Sequence, residues 1–196
     1  GRGGATPFVG GIVGANTGLG RDSHSSATVY GYYAGGLVGS GEDGTIKRST
    51  ASGNVYAVDG SVYAGGLAGS AYSVIDSSAS GNVFSTVANS WVGGLVGYMT
   101  GGDVSGSSAT GNVTASGSGS KVGGLVGFTG GGISDSIATG AVNAGTKAVA
   151  GGLVGQASGA LTNVRASGDV VAGDGATAGG LAGSNYGAVT KAIAIG

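Results

Sequence analysis

The chain has 196 residues, 49 of them glycine, with one proline, no cysteine, 6% aromatic and 9% charged residues and a formal charge of −1. One proline and no Gly-x-y period exclude collagen. The low charge excludes a highly charged disordered chain, and the absence of any basic run excludes the electrostatic footprint of a nucleic-acid binder. No apolar run is long enough to span a bilayer as a helix, and without cysteine there is neither a disulfide nor a thiolate metal site.

Taken along the chain, the first element approaches through Ala5-Thr6-Pro7-Phe8-Val9 and enters Gly10-Gly11-Ile12-Val13-Gly14. The same five-residue string, Gly-Gly-(Leu/Ile)-(Val/Ala)-Gly, starts again at Gly35, Gly65, Gly93, Gly123, Gly151 and Gly179, at intervals of 25, 30, 28, 30, 28 and 28 residues. Period self-similarity of this kind is the signature of a repeat architecture. It predicts an all-β fold, a β-solenoid resembling a parallel β-helix, of about seven coils with about 28 residues per coil. The whole of 1–196 reads as one repeat domain with a partial coil at each end.

Between the glycine blocks a second string recurs at Ile46–Val55, Val74–Val83, Val104–Val113, Ile133–Val142 and Leu161–Val170. Its columns are Ala (Ala51, Ala79, Ala109, Ala138, Ala166), then Ser or Thr, Gly, a small or polar residue, and Val. Period two puts Ser49, Ala51, Gly53 and Val55 on the inner face of a strand and Thr50, Ser52, Asn54 and Tyr56 on the outer. An interior of Ala, Gly and Ser requires opposite walls to approach closely.

Strict alternation through the glycine block would put Leu37 on the same face as Tyr33, whose column also holds Lys121. The glycine pair is therefore expected to host a bulge or corner that flips the parity. Ile12, Leu37, Leu67, Leu95, Leu125, Leu153 and Leu181 then form the main interior ladder. Turns are expected at Gly41–Gly44, Asp59-Gly60, Gly101–Asp103, Gly130–Gly132 and Asp174-Gly175, because Gly and Asp tolerate the turn backbone. Each coil thus reads as about three short strands with three corners. No segment shows a helical apolar stripe, so fewer than about one residue in ten is expected in helix, against the usual third.

The joined strings Gly-Gly-Leu-Val-Gly and Ser-x-Ala-(Ser/Thr)-Gly-Asn-Val, from Phe8 to Gly196, resemble the GLUG-motif repeat. That resemblance implies a large secreted bacterial protein, such as a filamentous-haemagglutinin-like adhesin, or a surface peptidase in which the repeat lies outside the catalytic part. It implies an extracellular or cell-surface location, and the repeat brings no catalytic residue. The first copy departs from the pattern: it is some four residues short between Ser25 and Gly35 and lacks Gly-Asn-Val.

The residues themselves point away from catalysis, and the chain reads as no enzyme and as needing no cofactor. His24 is the single histidine, in Ser23-His24-Ser25-Ser26, and reads as a polar outer-face residue. Asp76 and Asp135 share a column but lie two coils, ~10 Å, apart, too far to share a proton. Glu42-Asp43 offers a small part of the six or more oxygens a calcium ion takes. The recurring glycine strings lack the following helix and lysine of a phosphate loop.

The column Phe8, Tyr33, Tyr63 and Trp91 reads first as a stacking ladder and second as a contact stripe for a host or matrix surface. The function that follows is a structural or adhesive extracellular solenoid, a filament subunit or a segment of a surface fibre or stalk. The alternative is a carbohydrate- or ice-binding face, for which the outward columns Ser52, Ser80, Thr110, Thr139, Ser167 and Thr50, Ser78, Ser108, Ile137, Arg165 are irregular. Val189–Gly196 aligns without gaps to Ile46–Gly53, so the chain stops inside a repeat, as it starts inside one. Ends in phase predict end-to-end self-association.

Overall fold

The computed structural model describes residues 7–58, 60 and 63–196. Among them every regular element is a β-strand, and every strand pairing is parallel, each strand bonding its equivalent one coil away. The chain is a stack of about seven turns of a β-solenoid, with three sheets running along the stack. One sheet holds seven strands, Phe8–Gly10, Tyr33–Gly35, Tyr63–Gly65, Trp91–Gly93, Lys121–Gly123, Val149–Gly151 and Thr177–Gly179. A second, of 17 short strands, follows the glycine corner, and a third, of six, runs from Val29–Gly31 to Val170–Ala172. Among the described residues no helix is long and apolar enough to cross a membrane.

The glycine corner flips parity by a bulge. The N–H groups of Leu37 and Val38 both donate to the carbonyl of Leu67, at 2.8 and 3.1 Å, and the pattern repeats with Leu67 and Ala68 on Leu95, Leu95 and Val96 on Leu125, and Leu125 and Val126 on Leu153. Two successive donors on one acceptor consume an extra residue, which is what a bulge does to a ladder. The side chains of Leu37, Leu67, Leu95, Leu125 and Leu153 consequently point inward and are buried. Leu181 is partly buried. Ile12 is a correction: its N–H joins the ladder, donating to Leu37, but the residue is 52% exposed where the leucines from Leu37 to Leu153 are buried.

The glycine pair is needed because two walls meet there. A Cβ on Gly94 would overlap the carbonyl of Gly124 in the next coil and lie 3.0 Å from the Cβ of Ala109 across the interior. The same clash recurs for Gly36 against Ala51, at 2.9 Å, and for Gly152 against Ala166, at 3.0 Å. This waist divides the core. Leu37, Ile46 and Ala51 belong to one apolar cluster, and Ala34, Val55 and Ala57 to another.

A buried serine column stitches the coils together. Ser49, Ser77, Ser107 and Ser136 are almost wholly buried. The N–H of Ser49 donates to Ser77 Oγ, Ser77 to Ser107 and Ser107 to Ser136, each at 3.1 Å, while each hydroxyl donates to the carbonyl two residues back. Every hydroxyl is thereby both donor and acceptor, which removes the desolvation cost of burying it. The column ends where Val164 replaces the serine. Outside, Asn54, Asn82 and Asn112 form a parallel chain, each side-chain oxygen accepting the N–H of the residue above it at 2.8–3.0 Å.

One corner had no counterpart in the sequence reading. Asp22, Arg48, Asp76, Gly106, Asp135, Asn163 and Lys191, the residue before the serine column in every coil, all take φ between 45° and 57°. Left-handed backbone costs a non-glycine residue roughly 1–2 kcal/mol, so the stack above and below must hold it. The expected turn at Gly41–Gly44 is also corrected. Those residues lie inside a ten-residue strand, Val38–Lys47, that accommodates its extra residues as a register shift against Ala71 and Ser73 and leaves Glu42 and Asp43 facing solvent. Asp59, in the expected Asp59-Gly60 turn, and Ala5 and Thr6 lie outside the described residues.

Leu95→Asp should abolish the cooperative melt or cost several kcal/mol, since it buries an unpaired carboxylate, whereas Ser80→Asp, on the exposed face, should change stability by less than about 0.5 kcal/mol. Thermal melts followed by circular dichroism check this, and equal effects would contradict the inside and outside assignment.

Candidate functional site

The outer surface carries the chemistry that varies from coil to coil, and its largest feature is aromatic. Phe8, Tyr33, Tyr63 and Trp91 stand in register on adjacent strands of the seven-stranded sheet, followed in the same column by Lys121, Val149 and Thr177. Phe8 meets Tyr33 edge-on at 5.1 Å, Tyr33 meets Tyr63 edge-on at 4.6 Å, and Tyr63 is tilted against Trp91 at 4.8 Å. Phe8 is 44% exposed, while Tyr33, Tyr63 and Trp91 are half-buried against one another.

The sequence reading missed two members. Tyr98 and Phe128 belong to the column just past the glycine block, and the glycine corner folds that column back beside the first: a Cβ on Gly97 would lie 2.8 Å from the carbonyl of Trp91. Tyr98 stacks on Tyr63 at 4.8 Å and on Phe128 at 5.4 Å, and lies 5.1 Å from Trp91. The signal was present in Gly97-Tyr98 and Gly127-Phe128, but only the fold-back makes residues seven apart neighbours. Lys121 continues the stripe as a cation, its Nζ 5.2 Å from the Trp91 ring centre and 5.8 Å from that of Phe128. Such contacts account for a lysine in an aromatic column.

A second ladder, also missed, runs along the six-stranded sheet. Tyr30, Tyr56 and Phe84 are in register, with rings nearly parallel at 4.7 and 4.9 Å. The first ladder packs its rings edge-on or tilted and the second face to face, and both are favourable aromatic geometries that stiffen a stack.

The polar candidates scatter. His24 is exposed and its Nδ1 lies 2.8 Å from Thr50 Oγ1 in the next coil. Arg48 donates twice to Asp22, at 2.7 and 2.8 Å, on the left-handed corner column, and this guanidinium holds the Asp22 carboxyl below the usual carboxylate range. Asp135 accepts from Asn163 at 2.6 Å in the same column. Asp76 stands one coil beyond Arg48 and two before Asp135, and the structure does not bring the two aspartates together. Among the described residues no three His, Cys, Asp or Glu side chains gather into a metal-binding group. Two shallow hollows, of about 520 and 260 Å³, lie at the last coils, one lined by Gly168, Gly180, Ala194 and Gly196, the other by Asp135, Asn163, Arg165 and Lys191.

Residues 30–56 and 88–114 match the family model of the GLUG motif. The chain carries GLUG-motif repeats. Each matched stretch of the GLUG array takes in one glycine block and one Ala-x-Gly-Asn-Val string, that is, one coil's corner and the wall facing it. No curated protein and no solved structure matches the chain.

Burial raises the pKa of Tyr63 well above its ordinary value, with the neighbouring Tyr33, Tyr98 and Glu42 adding to it, and burial raises Tyr33 as well. An acid whose folded pKa is raised stabilises the fold fully below its unfolded pKa, and that contribution is lost as pH rises beyond it. Stability should therefore be flat up to the ordinary phenol range and fall above it. Tyr63→Phe should flatten part of that alkaline limb in melts at increasing pH, and an unchanged limb would contradict the assignment.

Proposed function

We propose that this GLUG solenoid is a structural and adhesive element outside the cell, a segment of a surface fibre or stalk, and that it is not an enzyme. The observation that carries the reading is the repetition of one coil-to-coil bonding pattern, the bifurcated leucine corner and the glycine–alanine waist, from coil to coil, with the serine column reinforcing it as far as Ser136. Such an array is quasi-one-dimensional: its stability sums over nearest-neighbour interfaces, and its length can grow without a new core. The interior is filled by apolar lobes on either side of a waist of small residues, so variation falls on outward columns, where a host or matrix surface would make contact. The aromatic stripe from Phe8 to Phe128 is the strongest such surface.

The last coil presents strand edges and a glycine-lined hollow to whatever lies beyond it. Another coil of the same repeat, from the same polypeptide or a second copy, has the shape and donors to cover it. At ~4.8 Å per coil, seven coils make a rod of roughly 30 Å. Electron microscopy of the purified chain is expected to show rods of that length joined end to end, with an axial repeat near seven coils. Isolated particles at every concentration would remove the filament part of the reading. Adhesion is tested separately by arraying glycans and matrix proteins: loss of binding in Trp91→Ala with an unchanged far-UV spectrum supports the stripe, and binding unaffected by that change contradicts it.

A further inference from the structure

The geometry points to Tyr30 and Tyr56 as a built-in crosslinking pair, positioned to be joined as dityrosine by a peroxide-driven oxidation. The two residues are register partners on adjacent coils, and their rings are stacked at 4.7 Å with only 9° between the planes. Parallel strands in register hang equivalent side chains above one another, so the two phenol rings lie face to face one coil apart. Tyr30 is 61% exposed and within reach of an oxidant. The third ring of the ladder is Phe84, 4.9 Å from Tyr56, and it has no phenol, so coupling stops at one pair.

The other tyrosine contacts are less suited. Tyr33 and Tyr63 are nearly perpendicular, at 87°, Tyr32 and Tyr33 are further apart, at 5.8 Å and 29°, and Tyr63 and Tyr98 are half-buried beside Trp91.

The reaction balances with hydrogen peroxide acting through a haem peroxidase. Each phenol gives up one electron and one proton, the two phenoxyl radicals form a bond between ortho carbons, and each coupled carbon passes its hydrogen back to the ring oxygen. The chain loses two hydrogen atoms, and peroxide takes up the two electrons and two protons to leave two molecules of water.

A link here ties together two coils next to loosely packed residues, since Ile12 is 52% exposed and Leu19 59%. The chain has no cysteine with which to make a disulfide there. Joining Tyr30 to Tyr56 closes a short loop between the first two coils and restricts the opened state as a disulfide would. The reaction does not depend on what the rod contacts.

The test treats the dilute chain with hydrogen peroxide and horseradish peroxidase, alongside Tyr30→Phe, Tyr56→Phe and Tyr63→Phe, each of which keeps its ring. The expected result is dityrosine fluorescence in a monomer two hydrogens lighter, with trypsin releasing residues 22–47 covalently linked to 49–121. Signal and link should vanish in Tyr30→Phe and in Tyr56→Phe and persist in Tyr63→Phe. Absence of the link in the parent chain, its survival in either of the first two variants, or links only between chains would overturn the inference.

Discussion

Backbone meets backbone inside this solenoid, and the rest of the structure depends on that contact. The second glycine of each block sits where a single methyl group would overlap a carbonyl of the next coil and press on an alanine of the opposite wall. With the walls this close, only Ala, Gly and Ser fit at the waist, and larger side chains lie to either side, leucine, isoleucine, methionine and valine in one lobe and valine with alanine in the other. The bulge at Leu37 and its equivalents follows from the same contact, because the chain must turn sharply just after its closest approach. Glycine's backbone entropy cost, roughly 0.5–1 kcal/mol relative to alanine, is offset at each site by parallel bonding on both sides.

The closed interior explains why the repeat carries architecture and the surface carries individuality. The inner columns recur almost unchanged while the outer ones pass from Phe8 to Thr177 or from Tyr30 to Val171 without disturbing register. The contacting aromatic residues concentrate in the first five coils, while the later coils turn outward a mixture of small, aliphatic and charged side chains with Tyr186, so the surface changes along the rod. A fibre segment with a graded outer face is suited to hold one neighbour or partner along part of its length.

Much of this was legible in the sequence because the determinants repeat. Seven glycine blocks at near-constant spacing set the coil length, and period two from Ser49 to Val55 set inside from outside. The parity flip at the glycine pair could be inferred because Lys121 and Leu37 cannot share a face. What was not legible depends on backbone shape. The left-handed corner passes through Asp, Arg, Gly, Asn and Lys, residues with no common side-chain property, because the stack and not the residue enforces the φ. The Tyr98 and Phe128 extension required knowing that the chain folds back at the corner. Gly41–Gly44 has turn composition yet is carried inside a strand as a register shift, because Val38–Gly41 at its start and Thr45–Lys47 after it are both paired with the next coil.

The most direct test of the central contact compares two glycines. Gly94 has no room for a Cβ, whereas a Cβ on Gly130 would meet nothing within 4 Å, and neither residue has a positive φ. Measured by denaturant unfolding, Gly94→Ala should cost at least about 2 kcal/mol, and Gly130→Ala should be neutral or stabilising by up to about 1 kcal/mol. If Gly94→Ala is tolerated as well as Gly130→Ala, the close approach of the walls is not what holds the solenoid together.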